Sequence, residues 1–170
     1  FRMAKPRVLV LRTPGTNCDQ ETVHAFGLAG AQCERVHVEA LVRNRALIDD
    51  FQILCLPGGF SYGDDLGAGR IAGARLRQYL ADALYASREQ DRLVLGICNG
   101  FQILLATGLF FEAHAADARP ASLAANASGK FEDRWVLLTT SSPKCVFTRG
   151  IERMYLPVAH AEGRFVVRDP

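Results

Sequence analysis

The stretch Arg92-Leu93-Val94-Leu95-Gly96-Ile97-Cys98-Asn99-Gly100-Phe101-Gln102 decides how the rest of the chain is read. Its first half is a short apolar run with no polar alternation, as a strand buried in a parallel sheet should be. From Gly100 to about Thr107 the apolar spacing turns helical, and Gly108 stands where a C-terminal cap belongs. A strand that passes at once into a helix forces the residue at the junction into strained backbone angles. It also crowds the residues two before and two after it. Gly96 and Gly100 occupy those two positions and lack the side chains that would collide. Cys98 lies between them, in the G-x-S-x-G elbow pattern with cysteine in place of serine. Such a turn lifts the sulfur out of the sheet and leaves it at a helix N-terminus. Unpaired N–H groups and the helix dipole favour a thiolate there. The N–H of Asn99 is then placed to meet an oxyanion.

Upstream, strand-like and helix-like stretches alternate. Arg7 to Arg12 is a continuous apolar core between two charged ends, closed by Thr13-Pro14-Gly15. A helix is predicted from Asp19 to Ala29, capped by Thr16 or Asn17 and stopped at Gly30. Further strands are predicted at Cys33–Val38 and Gln52–Leu56, and a long amphipathic helix over Ala68–Ala86. This alternation predicts an α/β fold, a mostly parallel open sheet with helices on both faces. Beyond Gly108 the pattern changes. Ala113 to Ser128 reads as a loop, and Phe131–Thr140, Ile151–Val158 and Arg164–Arg168 read as a small mixed or antiparallel extension. No repeat or long linker interrupts the chain, so residues 3–170 are expected to be one domain.

Composition narrows the classes. The 170 residues carry 20 basic and 18 acidic side chains, with 49% hydrophobic residues. Charges are spread along the chain, which disfavours nucleic-acid or membrane-surface binding. No apolar run approaches the ~20 residues of a membrane span. Five cysteines, an odd number with no C-x-x-C pair, fit neither a disulfide framework nor a zinc site. A reducing cytoplasm is the expected compartment, and no metal site is predicted. Phe1 and Arg2 precede Met3, which suggests a natural start at Met3 behind two foreign residues.

A second loop, Pro57-Gly58-Gly59-Phe60, follows a neighbouring strand, at the carboxyl end where open α/β sheets hold ligands. Its glycine N–H groups can supply another oxyanion donor. With Ser61-Tyr62-Gly63-Asp64 after it and Gly96 to Gln102 downstream, the chain resembles the class I glutamine amidotransferases, whose fold is flavodoxin-like. More narrowly it resembles the glutaminase subunit of phosphoribosylformylglycinamidine synthase. Pro14 to Asp19, Phe131 to Trp135 and Pro157 to Phe165 carry the same resemblance, from about residue 7 to 168.

The resemblance implies that Cys98 attacks the side-chain amide of glutamine, releasing ammonia for purine biosynthesis. Gly59 and Asn99 would form the oxyanion hole, and Gly58, Phe60 and Gln102 would hold the substrate. The implied partners are a large synthase subunit, which uses ATP and magnesium, and a small third subunit. No cofactor is implied in this chain.

Acid/base work in this family belongs to a His-Pro-Glu motif near its C-terminus, and the sequence contains none. His160-Ala161-Glu162 has the spacing but matches the separate His-Gly-Glu-Gly segment of the family, so His160 and Glu162 are a secondary candidate dyad. The expectation is a chain that stops before its catalytic dyad. His24, His37 and His114 read as structural or solvated. Gly67 to Gly73 has the wrong spacing for a phosphate loop, and the resemblance makes it part of the glutamine-site rim. Asp64, Asp65 and Arg70 read as surface polar groups able to meet substrate or partner. Two other readings remain: a cysteine hydrolase or redox sensor of the same architecture, and a non-enzymatic docking protein.

Overall fold

The computed structural model describes residues 4–108, 111 and 121–167. These divide into two compact units. One holds the described residues up to Ser122 together with Val167, and the other is Leu123–Val166.

The first unit is built on four parallel strands: β1 (Arg7–Arg12), β2 (Gln32–His37), β3 (Ile53–Leu56) and β4 (Leu93–Gly96). They lie in the order β2-β1-β3-β4, so the two central strands are the most apolar ones. Side chains alternate across a strand, and β1 divides accordingly. Leu9 and Leu11 face a cluster with Leu54, Leu56, Leu76, Leu80 and Leu104. Val8 and Val10 face the other side with Cys55, Val23 and Phe26. Helix α1 (Asp19–Leu28) covers the second face; α2 (Val38–Arg43), α3 (Arg70–Glu89) and α4 (Asn99–Thr107) cover the first. The open α/β sheet with helices on both faces is therefore present.

The elements differ from their predicted bounds in instructive places. The N-cap of α1 is Cys18, which makes no side-chain cap bond, rather than Thr16 or Asn17. Thr16 is occupied elsewhere: its Oγ1 accepts from the Thr13 N–H at 3.0 Å. Instead, the first residue of α1 ties the helix down. The buried Asp19 carboxylate pairs with Arg12 of β1 at 2.8 Å and Arg35 of β2 at 3.2 Å. Helix α2 was not apparent in the sequence because it is only six residues long. His37 caps it, its Nδ1 accepting from the Glu39 N–H at 3.3 Å.

In the second unit β6 (Glu132–Thr139) and β7 (Arg153–His160) form an antiparallel ribbon, the predicted extension. Trp135 and Tyr155 stack on one of its faces, their centroids 5.0 Å apart. The expected loop over 113–128 is a strand from Ala121. This strand, β5 (Ala121–Ala124), pairs with β8 (Arg164–Val167). Four short residues with no apolar period do not announce a strand; their partner, 40 residues away, makes it one. Residues 113–120, including His114, and Arg168 lie outside the described residues.

Candidate active site

Cys98 sits between β4 and α4 with φ 53 and ψ −115, a backbone conformation that side-chain-bearing residues rarely adopt. Its side chain is exposed. The flanking glycines are required, each for its own contact. A Cβ on Gly96 would come within 2.8 Å of the Gly100 carbonyl oxygen and 2.7 Å of Leu104. A Cβ on Gly100 would run into the backbone carbonyl of Leu56, at the end of β3. The elbow is thus wedged against the neighbouring strand, and the Ile97 N–H donates to that same Leu56 oxygen at 3.0 Å.

The first turn of α4 leaves N–H groups without intrahelical acceptors. Gly100 donates to the Ile97 carbonyl, and Phe101 and Gln102 donate to that of Cys98. The Asn99 N–H has no protein partner among the described residues, as an oxyanion donor requires.

The Pro57-Gly58-Gly59-Phe60 loop lies beside the elbow. A Cβ on Gly58 would stand 3.5 Å from both the Cys98 Cβ and the Cys18 sulfur. Gly59 has φ 140, and a Cβ there would meet the Asn17 nitrogen and the Gly15 oxygen at 2.8 Å. Both conformation and space demand glycine.

The loop is laced to the segment before α1. Cys18 N–H donates to Gly58, Phe60 N–H to Gly15 and Tyr62 N–H to Pro14. The Phe60 N–H is committed in this way, whereas the Gly59 N–H has no protein acceptor among the described residues. The Phe60 ring is exposed. These contacts give the Pro14–Asp19 segment a structural task that its turn-like composition does not reveal.

Asn99 joins the loop to the elbow through its side chain. It is 2% exposed, and its Oδ1 accepts from the Ser61 N–H at 3.0 Å. Its Nδ2 donates to Asp64 Oδ1 and to Gln102 Oε1, each at 3.0 Å. Asp64 is therefore half-buried and engaged, contrary to its reading as a surface group; Asp65 and Arg70 are exposed. The only advance signal for Asp64 is its place after Gly63, since Asp tolerates left-handed backbone in tight turns.

The glycines at 69 and 73 have a packing reason. A Cβ on Gly69 would lie 2.7 Å from the Ile103 nitrogen, and one on Gly73 would lie 2.5 Å from the Ala106 Cβ. One turn apart, they let α3 press against α4.

His160 and Glu162 belong to the second unit. There the His160 Nδ1 lies 3.0 Å from Asn126 Oδ1, and Asn126 also binds the His160 and Lys130 carbonyls and the Gly163 N–H. The imidazole packs so tightly over Gly163 that a Cβ there would enter the ring. This explains His160 and Gly163 as the lock of the 160–163 turn. His24 lies on α1.

Environment separates the thiols. Burial raises the pKa of Cys18, with Glu21, Cys98 and Asp19 acting in the same direction. Burial also raises Cys33, and it pushes Cys55 up to about 12. Cys145 is lowered, first by a hydrogen bond from Thr148.

Comparison with known proteins agrees with this geometry. The family described as a CobB/CobQ-like glutamine amidotransferase domain matches residues 5–170. Phosphoribosylformylglycinamidine synthase subunit PurQ of Dehalococcoides mccartyi is 47% identical over 165 residues, which are 96% of this chain and 64% of that protein. The same-named subunit of Methanococcus maripaludis strain C7 is 41% identical, over 94% of this chain and 59% of its own length. The chain therefore spans only about three fifths of these relatives.

Among solved structures, a chain of PurLQS from Thermotoga maritima superposes with a TM-score of 0.76 at 35% identity, covering 98% of this chain and 71% of that one. A glutamine amidotransferase from that organism reaches 0.60 at 16% identity, covering 98% of this chain and 65% of its own; it shares the fold. With the elbow, the glycine loop and a family match across nearly its whole length, the chain belongs to the CobB/CobQ-like glutamine amidotransferase domain family.

Proposed function

We propose that this chain carries the nucleophile of a glutaminase that supplies ammonia to a phosphoribosylformylglycinamidine synthase. The observation that carries the reading is the strained Cys98 turn, wedged between Gly96 and Gly100 and tied by Asn99 to Ser61 and Asp64, just past the Gly58-Gly59 loop. The names of the relatives support the synthase.

In this mechanism the Cys98 thiol gives up its proton to a base, and its sulfur bonds to the amide carbon of glutamine. The oxyanion is met by the N–H groups of Gly59 and Asn99. As the intermediate collapses, the C–N bond breaks, the nitrogen takes up a proton and ammonia leaves. Water then attacks the γ-glutamyl thioester, the C–S bond breaks, glutamate leaves and the free thiol is restored. Gly58, Phe60 and Gln102 are the residues to which this reading gives the holding of the substrate.

Proton transfer needs an acid/base group; His160 and Glu162 remain the secondary candidates by spacing alone, and the His160 ring is engaged with Asn126. No cofactor is required in this chain. ATP and magnesium chemistry would belong to the large synthase subunit, which aminates formylglycinamide ribonucleotide. A small third subunit fits the three letters by which the solved relative, PurLQS, is named. Five free thiols suit the reducing cytoplasm in which such a pathway would run.

A glutamine-shaped diazo-ketone tests the reading. It should alkylate Cys98 with loss of nitrogen, measured by peptide mass spectrometry, and leave Cys18, Cys33 and Cys55 unmodified at pH 7.5. Cys145, exposed and with a lowered pKa, is the stringent control. Labelling of Cys145 as fast as Cys98, or no protection of Cys98 by glutamine, would refute the glutaminase and leave the hydrolase or redox-sensor reading.

A further inference from the structure

We infer that Asp64 is a positioning residue for the oxyanion hole, acting through the Asn99 side chain. The inference rests on the glutaminase reading of Cys98 and Asn99. Asp64 closes a run of three left-handed residues, Tyr62 (φ 53), Gly63 (φ 70) and itself (φ 54). A non-glycine residue held at such angles stores strain, and structures keep it where the surroundings hold it in place.

Here the carboxylate does the holding. Asp64 Oδ1 accepts from the Gly69 N–H and from Asn99 Nδ2, each at 3.0 Å, while Oδ2 lies 3.4 Å from the same Nδ2. The first bond fixes the approach to α3 and the second reaches the elbow. The two Nδ2 hydrogens of Asn99 are divided between Asp64 and Gln102, and its Oδ1 takes the Ser61 N–H.

This leaves the Asn99 side chain one orientation, because reversing the amide would set its NH2 against the Ser61 N–H and its oxygen against the Asp64 carboxylate. The backbone N–H of Asn99 is held by the same residue that is pinned at three points. Asp64 is the one charged member of the set and gives the amide its direction. The bond from Nδ2 to Gln102 Oε1 passes that direction on to the side chain read as substrate-binding.

What matters in this account is an acceptor at one place, not a charge. Asn at 64 tolerates φ 54 and keeps an oxygen at Oδ1, so it preserves both 3.0 Å bonds. Gly accepts the backbone angle without cost and removes the acceptor. Glu keeps the charge and moves the acceptor by one methylene.

The test uses the full chain and the diazo-ketone, with the maximal labelling rate and the half-saturating concentration measured at Cys98. Iodoacetamide, which needs no oxyanion hole, serves as the reference reagent. Losing an oxyanion donor outright costs about 100- to 1,000-fold, so misorienting one is expected to slow maximal labelling by about tenfold or more in Asp64→Gly and Asp64→Glu. Asp64→Asn should stay within about threefold of the parent chain. Iodoacetamide rates should be alike in all four proteins.

Equal diazo-ketone rates in Asp64→Gly and the parent would overturn the inference. So would an Asp64→Asn as slow as Asp64→Gly, which would make the charge decisive. If Asp64→Gly does not fold, Asp64→Glu against Asp64→Asn decides, and wild-type labelling of Asp64→Glu rejects the role. Failure of the parent chain to label at Cys98 is a different result; it removes the glutaminase reading and this inference with it.

Discussion

Gly96 and Gly100 stand symmetrically about Cys98 in the sequence but answer to different neighbours. Gly96 makes room for the Gly100 carbonyl and Leu104, whereas Gly100 makes room for the Leu56 carbonyl of β3. A Gly100→Ala change gains up to ~1 kcal/mol of helix propensity. It also drives a methyl group into backbone that cannot swing aside, at a cost of about 1–3 kcal/mol. The clash should win, with a net loss in urea unfolding and diazo-ketone labelling of Cys98 reduced beyond detection. A variant as stable and reactive as the parent would show that the elbow does not depend on contact with β3. The two glycine-dependent turns, at 58–59 and around Cys98, were legible from their motifs. Asp64 was not, because its importance lies in an acceptor oxygen reaching a residue 35 positions away.

At the scale of elements, the site is held by two pairings that composition does not announce. One is the lacing of residues 14–18 to residues 58–62, which gives the glycine loop its conformation. The other is α3 against α4, where Gly69 and Gly73 permit an approach that any side chain would block. Gly73→Ala should lose about 1–3 kcal/mol of stability by overpacking against the Ala106 methyl. Ala106→Gly should restore part of that loss, so a double-mutant cycle in chemical unfolding should give a coupling of at least ~0.5 kcal/mol. Strict additivity would place the crowding elsewhere. In the second unit, the β6–β7 ribbon follows from two apolar runs, while β5 and β8 exist only through each other.

For the molecule as a whole, the first unit's core lies on both faces of the parallel sheet, and Cys55 is fully buried in the smaller of its two clusters. Its thiol, ordinary in the unfolded chain, is pushed up to about 12 in the folded one. A raised pKa means that below pH 9 both states hold the proton, and no stability is at stake. Above pH 9 the unfolded chain gives up the proton and the folded chain does not, so stability falls with rising pH until about 12. The slope approaches ~1.4 kcal/mol per pH unit from this one group. Urea unfolding between pH 8 and 11 should show that decline, and Cys55→Ala should be less stable at pH 8 yet flatter across the range. An unchanged slope would assign the decline to other groups.

What the sequence by itself determined is local. Apolar runs four to six residues long with helical stretches between them specify parallel strands and their order of appearance. A cysteine between two glycines at a strand–helix junction specifies a strained, exposed turn, since the steric rule acts over five residues. What only the tertiary structure decided is everything that depends on distant partners: the anchoring of Asp19 by Arg12 and Arg35, the strand β5, the tie from Asp64 through Asn99 to the elbow, and the lock of His160 on Asn126 and Gly163. The reason is physical. Backbone strain and apolar periodicity are written in neighbouring residues, whereas a hydrogen bond or a close packing contact has no sequence signature until the fold brings its two ends together.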